Sequence, residues 1–124
     1  MASNKIIAVG PVAMSATLTT NIMSSAVTSL SGPVGIVITQ PYVILRHIRI
    51  VNKTAGAVTF SLWKGATGGN AAGTEVVGTA LSVAANSSYD WYGMMRFDAA
   101  DFLVGGAGAG TSLTFQAEGE VGLI

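Results

Sequence analysis

No cysteine occurs in the 124 residues, which excludes a disulfide scaffold, a thiol enzyme and a zinc ribbon. With a single histidine, His47, any Ser-His-Asp or Cys-His arrangement would have to be built on that one ring. Charge is scarce as well: 10% of the residues are Asp, Glu, Lys or Arg, against about 25% in an average domain. Six cations balance six anions, so the chain lacks the basic field that non-specific nucleic-acid binding requires. Nucleic acid is not an expected partner. Long apolar runs are missing too. The stretch between Lys5 and Arg46 carries no charge, but Ser, Thr and Asn interrupt it repeatedly, as do Gly10-Pro11 and Gly32-Pro33. A spanning helix needs about 20 predominantly apolar residues, so no membrane partner is expected. Ile6 to Val9 is too short for the apolar region of a signal peptide, and the N-terminus reads as mature protein.

Half of the residues are hydrophobic, which excludes a disordered chain. A chain this apolar and this poor in charge reads as a compact, self-associating domain, and its length fits one domain over residues 1–124. Helical periodicity is scarce, while β-branched and aromatic runs bounded by Gly, Pro, Asn and Ser recur. The expected fold is all-β, a β-sandwich or jelly-roll-like domain of seven or eight strands. Residues 1–30 lack aromatics and read as an extended arm or as edge strands, with the sandwich core over 31–124.

The pattern places strands at Ile6 to Val9, ended by Gly10-Pro11, at Ala16 to Met23 and at Val34 to Thr39. The strongest is Tyr42 to Asn52. There Tyr42, Ile44, Arg46, Ile48 and Ile50 share one face, and Val43, Leu45, His47, Arg49 and Val51 the other. With Ala57 to Trp63 it reads as a β-hairpin turned by Asn52 to Gly56. Further strands are expected at Thr74 to Thr79, Leu81 to Ala84, Ser88 to Met95 and Ser112 to Ile124. Lys64 to Gly73 and Gly105 to Gly110 read as exposed, flexible loops. Asp98 to Leu103 reads as one helical turn capped by Asp98.

Chemistry is hard to find. His47 lies in mid-strand, where a histidine facing a neighbouring strand or subunit is the simpler reading than a catalytic base. Asp98 and Asp101 are spaced as a carboxylate pair but read more simply as caps. Glu118 and Glu120 share a strand face without a third ligand, and no calcium loop or phosphate-cradling glycine motif is present. No cofactor, metal or catalytic residue is expected. The cluster Tyr89, Trp91, Tyr92, Met94 and Met95 suits core packing, a subunit interface or a sugar platform, with Trp91 and Tyr92 on opposite faces. Arg46, His47, Arg49, Trp63, Trp91, Tyr92, Met94 and Met95 are the interface candidates. The first 64 residues hold five cations and no anion, and the rest hold six anions and one cation, Arg96. Strands of the two halves therefore pair within one fold, or neighbouring subunits meet head to tail with opposite potentials.

Tyr42-Val-Ile-Leu-Arg-His-Ile-Arg-Ile-Val-Asn52, Val58-Thr-Phe-Ser-Leu-Trp63 and Gly65-Ala-Thr-Gly68 resemble segments of small structural proteins of tailed bacteriophage virions. Weaker likeness continues through Tyr92-Gly93, Asp101-Phe-Leu103 and Glu118-Gly-Glu-Val-Gly122, so that it covers roughly residues 42–122. This resemblance implies a virion protein without enzymatic activity, in particular a capsid decoration or cement protein. It further implies a homo-oligomer, often a trimer, assembled in the host cytoplasm onto the major capsid protein or other virion proteins at the capsid surface. A tail, neck or fibre subunit and a carbohydrate-binding module are the alternatives.

Overall fold

The computed structural model describes residues 5–24, 42–98 and 101–122, and the expected strand Val34 to Thr39 lies outside them. Among the described residues eight strands are present and no helix occurs. They are β1 (Lys5–Ala13), β2 (Asn21–Ser24), β3 (Tyr42–Asn52), β4 (Val58–Gly65), β5 (Leu81–Val83), β6 (Ser87–Phe97), β7 (Phe102–Ala107) and β8 (Leu113–Gly122). Two antiparallel sheets form, one in the order β1-β8-β3-β6 and the other β2-β7-β4-β5. That order, with the chain passing back and forth between sheets, is the jelly roll of two Greek keys.

Between the sheets lies one core. Val43, Leu45, Ile48 and Ile50 of β3, Met95 and Phe97 of β6, and Leu113 and Phe115 of β8 meet Phe60 and Leu62 of β4, Val83 of β5 and Leu103 of β7. Alternation drives it: Tyr89, Trp91, Met95 and Phe97 of β6 and Leu113, Phe115 and Ala117 of β8, all odd-numbered, point inward. In β3 the alternation changes phase. Val43 and Leu45 are buried before Arg46, and Ile48, Ile50 and Asn52 after it. Both ladders of β3 shift register between Leu45 and His47. Arg46 is an extra residue relative to β8, while Gly93 and Met94 together oppose it in β6. This β-bulge corrects the face assignment above: Ile48 and Ile50 join Val43 and Leu45 inside, and His47 and Arg49 join Arg46 outside. A Cβ on Gly119 would run into the Ile44 carbonyl beside the bulge, so only glycine lets β8 come this close.

The expected hairpin of residues 42–52 and 57–63 does not form, because β3 and β4 lie in different sheets. Asn52 makes the corner. Its buried amide donates to the Gly56 and Val83 carbonyls, at 2.9 and 3.0 Å, and its Oδ1 accepts from the Thr54 N–H and hydroxyl. A turn that bonds to itself in this way looks in sequence like a hairpin loop, and only the partner of each strand tells the two apart.

Other expectations also change. β1 continues through a cis Gly10-Pro11 bond by a register shift between Val9 and Val12 instead of ending there. Of Ala16 to Met23 only the last residues are strand, since Thr20 N–H bonds back to the Thr17 carbonyl. Thr74 to Thr79 is reduced to a single bridge, Trp63 to Glu75, and ends in a tight turn about Val77 (φ 62). Of the expected helical turn from Asp98 to Leu103, residues 99–100 lie outside the described residues, the Asp98 N–H donates to Asp101 Oδ2, and Phe102 already begins β7. Gly105 and Gly106 are no exposed loop: they are buried inside β7. Residues 5–13 and 21–24 occupy edges of the two sheets.

Candidate assembly surface

The solvent face of the β1-β8-β3-β6 sheet collects most of the ionic chemistry. β3 lies between β8 and β6 and carries cations outward after the bulge, while both neighbours come from the acidic half of the chain. Arg46 Nε donates to Glu120 Oε2 at 2.7 Å, and Arg49 Nε to Asp90 Oδ1 at 2.8 Å. His47 Nε2 lies 2.8 Å from Asp90 Oδ1, and its Nδ1 lies 3.2 Å from Glu118 Oε1. The two halves of opposite charge thus pair within one fold. Asp90 is held below the usual carboxylate range by the Arg49 hydrogen bond first and then by His47, and Arg49 is raised in turn by Asp90.

This geometry gives His47 no nucleophile to activate. Both ring nitrogens face carboxylates, and its ring stacks on Tyr92, with centroids 4.5 Å apart and planes at 9°. Asp98 pairs with Arg96 at 2.9 Å, and its N–H donates to Asp101 Oδ2. No group of three His, Cys, Asp or Glu side chains among the described residues is placed to hold a metal ion. The basin beside the network, bordered by Arg49, Lys53, Asn86 and Ser88, opens broadly to solvent.

The interface candidates divide by position. Arg46, His47, Arg49, Tyr92 and Met94 lie on the outer face of this sheet, whereas Trp63 and Met95 are buried and offer no surface. Trp91 turns inward and packs partly against the core, so the aromatic platform on this face reduces to Tyr92. Two features escaped the sequence reading. Ile6, at 79% the most exposed large hydrophobic side chain among the described residues, lies on the same face, pairing in register with Glu120. The grouping of Asp90, Glu118 and Glu120 around β3 was hinted at only by the segregation of charge along the chain.

Comparison of the sequence finds no matching protein-family model and no matching curated protein. Comparison of the structure does find likeness. A coat protein dimer of Tobacco streak virus is similar with a TM-score of 0.51 at 17% identity, over 97% of this chain and 85% of that one. What the two share is the fold. A virus-like particle of the extra small virus of the giant freshwater prawn Macrobrachium rosenbergii has TM-score 0.47 at 8% identity, over 98% of this chain and 78% of that one. A second crystal form of the Tobacco streak virus coat protein has TM-score 0.46 at 14% identity, over 98% and 85%.

Proposed function

We propose that the chain is a non-enzymatic structural protein of a virus particle that works by self-association. The observation that carries this reading is the eight-stranded jelly roll, similar over nearly its whole length to a viral coat protein. The apolar, charge-poor composition supports it independently, as does a histidine held between two carboxylates with no nucleophile.

The finer reading is a capsid decoration protein on the surface of a phage head, acting as a closed homo-oligomer such as a trimer and bound to the major capsid protein. Charge favours this placement over one lining the genome. The sequence holds only six cations, at least three of which are engaged by the chain's own carboxylates, so little is left to neutralise phosphates. A protein that binds the assembled lattice and not its parts shifts the equilibrium toward the intact shell. Light scattering of the purified protein at several concentrations, with electron microscopy of the same samples, tests the proposal. A closed oligomer of constant mass is the expected result. Empty shells would move the protein from decoration to the shell itself, and a monomer at every concentration would overturn the self-association on which the reading depends.

A further inference from the structure

The outer face of the β1-β8-β3-β6 sheet is unusual in where it is apolar. Among the described residues the three most exposed large hydrophobic side chains, Ile6 at 79%, Tyr92 at 71% and Met94 at 64%, all lie on it. They stand at its two margins, Ile6 on the edge strand β1 and Tyr92 and Met94 on the edge strand β6. Met94 faces outward by the alternation of β6 and is one of the two residues that stand opposite Arg46 at the bulge. Between the margins run two columns of opposite sign. β8 presents Glu118 and Glu120, and β3 presents Arg46 and Arg49 with His47 between them.

We infer that this face is a two-fold interface with a second copy of the chain, sheet against sheet, with the axis along the strands between β8 and β3. Resting on the self-association proposed above, the inference specifies the surface that performs it. A rotation of this kind reverses the strand order. The acidic column of β8 in one copy then lies over the basic column of β3 in the other, and Ile6, level with Arg96 through Glu120 and Ile44, comes down beside Met94, the next outward residue of β6. Each margin meets the opposite margin, Ile6 against the Met94 side chain and the aliphatic stem of Arg96, and each column meets its complement. The perpendicular in-plane axis through β3 would instead stack the basic column on itself, which like-charge repulsion disfavours.

Burial here leaves no lone charge, since Arg46, His47 and Arg49 already have partners within the chain. Four strands spaced by about 4.8 Å and roughly 10 residues long offer about 600 Å² per copy. The total of about 1,200 Å² reaches the lower bound for a specific interface. Such a two-fold contact combines with three-fold contacts in closed assemblies of higher symmetry, so it is compatible with a trimeric unit.

The absence of cysteine makes the interface directly testable. Ile6→Cys and Met94→Cys are introduced singly and together, and a thiol-specific cross-linker of roughly 10 Å reach, the spacing of stacked sheets, is applied. The expected result is a covalent dimer from the double variant in at least ten-fold greater yield than from either single one. An oligomer of unchanged mass without this cross-link would overturn the interface while leaving the virion reading in place. Cross-linking by Met94→Cys alone as strong as in the double variant would also overturn it, because β6 would then face itself. A monomer by light scattering would remove both. Met94→Asp gives an independent check: assembly should be lost while the subunit keeps its β-sheet circular dichroism, and an intact oligomer would count against the interface.

Discussion

Strands β3 and β7 hold equivalent positions, each an inner strand of its own sheet, yet they pack by opposite means. β3 fills space. Leu45, Ile48 and Ile50 are fully buried, and the cost of ordering them is offset by apolar area removed from water. β7 leaves space. A Cβ on Gly105 would meet the Ser61 carbonyl of β4, and one on Gly106 would stand 2.6 Å from the Ser15 carbonyl of the segment crossing over it. The Gly105 and Ala107 N–H groups bond at 2.9 and 2.8 Å to the carbonyls of Thr20 and Ser15. Close backbone approach does for β7 what side-chain volume does for β3.

The largest expected effect breaks this symmetry directly. Gly105→Val adds volume where β4 leaves none and should cost about 3 kcal/mol or more, whereas Ile48→Val in β3 should cost about 1 kcal/mol. Urea unfolding of both variants measures the difference, and equal costs would refute the close-approach account of β7. An intermediate effect is expected at the corner between the sheets. Asn52→Ala strips the partner from the buried Val83 carbonyl and from the turn at Thr54 and Gly56, and should cost about 2 kcal/mol. No loss of stability would mean that the crossing is held by the strands alone.

The smallest effect concerns the solvent face of β3. The hydrogen bond from Arg49 holds Asp90 below the usual carboxylate range, so its contribution to stability is complete above that range. It is lost as pH falls through the depressed value of the folded state. Asp90→Asn should therefore lower the melting temperature slightly at neutral pH, and the gap from the unsubstituted protein should close on acidification. A gap that stays constant down to strongly acid pH would show that the carboxylate charge is not what binds the three strands.

β6 and β8 were legible in sequence because each alternates along its length, and β3 because it alternates on either side of Arg46; alternation is a property of consecutive side chains. β7 was not. Val104-Gly-Gly-Ala-Gly108 has the composition of a loop, and what makes part of it a buried strand is the backbone of β4 and of residues 15–20, distant in sequence. The bulge at Arg46 was equally hidden: an unbroken period of two places Ile48 with Arg46, and the phase change exists only relative to β6 and β8. Of the outer face, Arg46, His47, Arg49, Tyr92 and Met94 were singled out from their residue types and positions. Ile6 was passed over, because one isoleucine in a short run gives no sign of which side faces water.

Composition and period determined the class of this protein: an all-β domain, poor in charge, without cysteine or a metal-ligand set, whose halves carry opposite charge. These are sums and local alternations, and no knowledge of partners is needed to read them. Tertiary structure alone decided that β3 and β4 separate into two sheets at Asn52, that glycines build an inner strand, and that Arg46, His47 and Arg49 meet Glu120, Asp90 and Glu118 across β3. Strand pairing and close approach join residues far apart in the chain, and their energies depend on the partner, which a single segment does not specify.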